Sequence, residues 1–139
     1  MNHRRFAYAL LRIGLGVMFL FFGIGKFMGG IGNFAGGMNE HFSGKLPSVI
    51  VLPFSYTLPF AEVILGALIL AGLFTRTALT LSGLLLIGLT VGTVILGDAP
   101  TVAHNLQYVF VNCALLWLCD SNGFSIDSLL KPAALSPEM

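Results

Sequence analysis

Charge is what this sequence has least of. Lys, Arg, Asp and Glu make up 9% of its 139 residues, against about 25% in an ordinary soluble domain. Seven basic and six acidic residues nearly cancel, for a net charge of +1. No basic stripe is available to follow a phosphate backbone, which excludes nucleic acid as a partner. Cysteine is almost as scarce. Cys113 and Cys119 are the only two, too few for a disulfide scaffold. On one helix their spacing sets them about 9 Å apart along the axis and on different faces, so they cannot bridge. No Walker A, Rossmann, kinase or hydrolase motif is present. Nor is there an H-x-x-H, C-x-x-C or C-x-x-C-H spacing to hold a metal or haem.

Apolar side chains fill the space that charge leaves. They are 56% of the chain, and the mean hydropathy is +0.90. A soluble domain of this size keeps too much surface to hide them. A soluble enzyme and a disordered chain are both excluded, and a single integral membrane domain over 1–139 is expected. Four apolar stretches have about the 20-residue length that crosses a bilayer: about 6–28, 53–74, 77–96 and 102–119. None alternates polar and apolar residues as a barrel strand would. The predicted fold is therefore all-α, a membrane-embedded four-helix bundle. Short connections at Thr75-Arg76 and Gly97–Thr101 make successive helices antiparallel, up-down-up-down.

The first connection is long. Phe34, Met38 and Phe42 recur in it every four residues beside Asn33, Asn39, Glu40 and Lys45, a pattern suited to a short interfacial helix. Its many glycines make an irregular loop the competing expectation. Arg4, Arg5 and Arg12 at the start, Arg76 between the second and third stretches and Lys131 near the end place both termini in the cytoplasm, with a cytoplasmic tail over 120–139. The first stretch is too long for a signal peptide and no A-x-A site follows it.

Ionisable groups inside such stretches face inward and need partners. At about 100° per residue, Arg12, Gly16, Phe19, Gly23 and Lys26 share one face of the first helix. Glu62, Gly66, Ile69, Leu73 and Arg76 share one face of the second. Antiparallel packing sets Lys26 beside Glu62 towards the outer leaflet. In the fourth stretch His104, Tyr108, Asn112, Leu115 and Cys119 fall within about 80° of one another. A ligand-binding cluster of Lys26, Glu62, His104, Tyr108 and Asn112 is expected, with Glu62 and His104 as candidate acid and base. A register-fixing ion pair is the alternative for Lys26–Glu62. At the inner end Arg12, Arg76 and Asp120 are structural charges, either touching lipid headgroups or closing the bundle through Arg12–Asp120. Gly25-x-x-x-Gly29, Gly88-x-x-x-Gly92 and Ala78-x-x-x-Ser82 permit close helix packing or self-association.

Three segments in order resemble the DoxX family of small four-helix membrane proteins. They are Arg12-x-x-x-Gly16-x-x-Phe19-x-x-x-Gly23-x-x-Lys26; Glu62-Val63-Ile64-Leu65-Gly66 leading into Gly72-Leu73-Phe74-Thr75-Arg76; and Gly123-x-Ser125-x-Asp127-x-Leu129-Leu130. The resemblance covers about 11–130. It implies a multi-pass protein of a bacterial or archaeal cytoplasmic membrane, similar to the small subunit of thiosulfate:quinone oxidoreductase or to relatives in thiol-redox complexes. Lys26, Glu62 and Arg76 are its recurring charged positions. The chain departs from that chemistry in having no redox cysteine pair. Three function classes remain: a quinone-linked redox subunit, a non-catalytic accessory subunit of a larger respiratory or other membrane assembly, and a small transporter. No cofactor is specified by a motif, and a quinone is the candidate. Whether the chain itself catalyses is open.

Overall fold

The computed structural model describes residues 2–131, so the expected tail lies outside the described residues from 132 onward. The described chain is helical, with no strand among the described residues. Helix α1 runs His3–Met28, α2 Ile31–His41, α3 Ser48–Ala71, α4 Thr75–Leu96, α5 Ala99–Trp117 and the short α6 Ile126–Leu130, with one turn of 3₁₀ helix at Cys119–Ser121. Helices α1, α3 and α4 are long and apolar enough to cross a membrane. The fourth expected span, α5, is not among those three. It has 19 residues and carries His104, Asn105, Gln107 and Asn112.

Several boundaries differ from the sequence expectation for definable reasons. Helix α3 begins at Ser48, five residues before Pro53, so Pro53 and Pro59 both lie inside it. Two nearby hydroxyls turn back onto its carbonyls, Ser55 to Val51 O and Thr57 to Pro53 O. Its other end comes earlier than expected. Gly72 adopts φ +70°, the Gly72 and Leu73 amides fold back onto Ile69 and Leu68, and α4 resumes at Thr75. This glycine-terminated cap assigns Arg76 to α4, off the Glu62 stripe. Asp98, expected in a loop, caps α5 by accepting from the Thr101 amide, which moves that helix's start to Ala99. The first connection contains a true helix, α2, bounded by positive-φ glycines at Gly30 and Gly44.

The most extensive packing is α1 against α3, followed by α4 against α5. Both pairs run antiparallel. On α1 and α3, Gly16 meets Leu70, Gly66 meets Leu20 and Gly23 meets Val63. A Cβ at Gly16 would stand 2.6 Å from the Leu70 amide nitrogen, so glycine is what lets these backbones touch. On α4 and α5, Ser82 meets Asn112 and Thr93 meets Asn105. The core between the pairs is built from Leu15, Phe19, Leu65, Ile69, Leu79, Leu86 and Leu115. Tyr8 ties α1 to α5 by donating to Leu115 O at 2.7 Å. Outward faces remain apolar, with Phe21, Ile64, Leu84 and Phe110 well exposed, as suits lipid contact.

Candidate functional site

The close glycine seam between α1 and α3 brings two charges together. Lys26 Nζ donates to Glu62 Oε2 at 2.8 Å, with side-chain exposures of 21% and 5%. The ammonium also lies 5.3 Å from the Phe34 ring and 5.7 Å from the Phe22 ring, within the range of cation–π attraction. Glu62 Oε1 has no hydrogen-bond partner among the described residues.

This pair sits on the wall of a cavity of about 400 Å³. Helices α1, α3, α4 and α5 surround it, and α2 adds Phe34 and Met38, followed by Phe42. The lining is mostly aliphatic and aromatic, with Phe54, Leu58 and Leu89 among it. Polar side chains enter at Lys26 and Glu62 on one helix pair, and at Thr93, Thr101 and Asn105 on the other. A shallower groove lies beyond Phe22, Lys26 and Phe34, so these three form a partition between groove and cavity.

The rest of the expected cluster is placed elsewhere. His104 is exposed on α5 and does not line the cavity. Tyr108 is half-buried and packs on the core. Asn112 is fully buried, accepting from Ser82 Oγ at 2.6 Å and donating to Leu79 O at 2.8 Å, a brace between α4 and α5. Asn105, which the stripe passed over, reaches the cavity instead. It lies seven residues before Asn112, about 20° away around the helix, whereas His104 is about 80° away. The one-heptad step from Asn112 is visible in the sequence, but the burial of Asn112 that gives it meaning is not.

At the other end Arg12 is buried, with 2% exposure. Its guanidinium donates to Ile69 O at 2.7 Å, Leu70 O at 2.8 Å and Phe124 O at 2.6 Å. The first two are final carbonyls of α3, where the helix dipole favours a cation. Gly72 gives it room, since a Cβ there would stand 2.7 Å from Nη1. Asp120 therefore does not close the molecule through Arg12. It pairs with Arg76 at 2.9 Å, with exposures of 85% and 72%, a contact worth little in solvent. Asp127 has the structural role that the sequence did not reveal. Phe74, at φ +49°, brings no side-chain cap to α4. Asp127 supplies one from 52 residues away, accepting from the Phe74 and Thr75 amides at 2.8 Å each. Burial alone would raise its pKa, but these amides and the Thr75 side chain hold it below its usual range.

Among the described residues no three His, Cys, Asp or Glu side chains converge as metal ligands. Cys113 is exposed and Cys119 half-buried, and both are free. Fold and site together define a small helical membrane protein with a buried ion pair beside an apolar cavity. The family model of methylamine utilisation protein MauE matches residues 4–99, and the chain belongs to that family. This match overturns the DoxX resemblance. Small residues at the contact are common to close-packed membrane helices, so the glycine spacing in the first two segments behind that resemblance is not specific to one family. No curated protein and no solved structure matches the chain.

Proposed function

We propose that this protein is a small membrane subunit of a redox-linked assembly serving methylamine utilisation, and that its cavity receives the headgroup of an isoprenoid quinone. The observation that carries the reading is the Lys26–Glu62 pair on the wall of an otherwise apolar cavity. A quinone headgroup is a flat apolar ring with oxygens that accept hydrogen bonds when oxidised and donate them when reduced. Lys26 can donate to such an oxygen, and Glu62 Oε1 can accept from it. A mostly apolar site with few placed polar groups is the usual form of a small-molecule pocket. Partner chains would carry the redox centres. The thiosulfate connection depended on the DoxX resemblance and goes with it.

The arrangement proposed in the membrane is a four-helix bundle with α5 as fourth crossing and both termini in the cytoplasm of a bacterium or archaeon. Two features support it. Nineteen residues of α5 extend about 28 Å, close to the hydrocarbon thickness. The chain after α5 also returns to the start of α1, where Arg5 lies against Gly123. The second reading, a non-catalytic accessory subunit, is favoured by the ion pair itself, since 2.8 Å contact satisfies both charges without a ligand.

The test is purification in mild detergent, solvent extraction of bound lipids, identification of co-purifying chains and titration with decylubiquinone. A co-purifying quinone and saturable binding are expected, with redox subunits among the partners. Partners without any saturable quinone binding would favour the accessory reading and overturn the quinone site.

A further inference from the structure

We infer that the cavity is built for a ligand with two hydrogen-bonding oxygens at opposite ends of a flat apolar ring, a 1,4-quinone, and that Asn105 with Thr93 forms its second pole. This deepens the quinone reading and rests on it. The polar groups of the cavity fall into two sets on two helix pairs, Lys26 and Glu62 on α1 and α3, Thr93 and Asn105 on α4 and α5.

Hydrogen-bond use separates Asn105 from its neighbours. Asn112, one heptad further along the same face, commits its amide at 2.6 and 2.8 Å to Ser82 and Leu79. Asn105 has a single loose contact, Nδ2 to Thr93 Oγ1 at 3.5 Å, and no other partner among the described residues. Thr93 donates its own proton to Thr90 O at 2.9 Å. Thr101 is committed to Asp98 at the start of α5. Asn105 is half-buried, and an amide at an apolar wall with unused donors and acceptor can offer them to a ligand oxygen. Both poles also work in either direction. Lys26 donates while Glu62 accepts, and the Asn105 amide does both. That matches an oxygen that is a carbonyl in one oxidation state and a hydroxyl in the other. A lipid acyl chain would engage neither pole, and a monohydric phenol would engage one, the Lys26–Glu62 pole with its charged donor and acceptor.

The test uses the full chain in detergent and two probes, decylubiquinone and 4-decylphenol, the second carrying one oxygen. Asn105→Leu should weaken decylubiquinone binding about tenfold and leave 4-decylphenol binding unchanged. Thr93→Val should weaken the quinone alone by about threefold, which keeps the test decisive if Asn105→Leu does not fold. Quinone binding that ignores both substitutions, or loss of both probes together, would overturn the second pole while the quinone site stands. Failure of the unaltered protein to bind decylubiquinone would overturn both.

Discussion

Lys26 and Glu62 meet from 36 positions apart, and their pairing is a question of desolvation before it is one of function. Glu62 is 5% exposed, so removing the lysine leaves a carboxylate without water or partner. Breaking a buried pair from one side costs about 3–5 kcal/mol, whereas replacing both partners can be nearly neutral. Lys26→Met and Glu62→Gln should each lower the thermal midpoint in detergent, and the double variant should recover most of the loss. Additive losses in the cycle would show that the two side chains are not coupled. Arg12 presents the opposite solution for a buried charge. It has no carboxylate partner among the described residues and is held by three backbone carbonyls, two of them at the negative end of α3. The sequence announced both charges by placing them in apolar stretches. It named the right partner for Lys26 but offered lipid headgroups or Asp120 for Arg12, because a carbonyl acceptor carries no signature in residue type.

At the scale of elements, the ends of α3 and α4 depend on residues far along the chain. Asp127 caps α4, and its backbone amide donates to Gly72 O at 2.9 Å, so α6 clasps the α3–α4 turn from both sides. Losing a helix cap costs about 1 kcal/mol, with a range of about 0.5–2. Asp127→Asn keeps one acceptor oxygen but sets an amide NH2 against the second backbone N–H, so it should lower stability at neutral pH. The folded-state pKa is depressed relative to the unfolded value of about 3.9, so the cap's contribution is complete above about pH 5 and is lost as pH falls through the folded value. Thermal unfolding from pH 7 to pH 3 should show the gap between the parent protein and Asp127→Asn closing on the acid side. A gap that stays constant would contradict the cap. Element identity was well marked in the sequence for α1 and α4, whose apolar runs have clear ends. It was poorly marked for α3, where Pro53 resembled a helix start although the helix had begun five residues earlier. For α2 the four-residue repeat was visible, but not that Phe34, Met38 and Phe42 would line a cavity.

For the whole molecule, the decisive question is whether α5 crosses the bilayer. Three crossings would leave the termini on opposite sides, and four would bring them together. Cysteine-accessibility labelling of intact cells, on a background with Cys113 and Cys119 replaced by serine, separates the two. Single cysteines at Asn2 and Leu129 should react only from the cytoplasm, and one at Ser43 from outside. Labelling of Leu129 from outside would remove α5 as a crossing. Reaction of Asn2 from outside and Ser43 from inside would invert the proposed orientation.

Composition alone determined that this is a membrane protein, because so many apolar side chains have no soluble solution in 139 residues, and the length of the apolar runs without alternation determined that it is helical. Helical periodicity then determined the faces of α1 and α3, since the angle between residues on one helix is fixed by the backbone. Rotation of one helix against another is not fixed that way. It depends on where glycines admit contact and on closures such as Tyr8 to Leu115 and Asp127 to Thr75, which join distant parts of the chain. Tertiary structure alone therefore decided that Asn105 faces the cavity while His104 turns away, that α2 contributes to its lining, and that Arg12 binds backbone rather than Asp120.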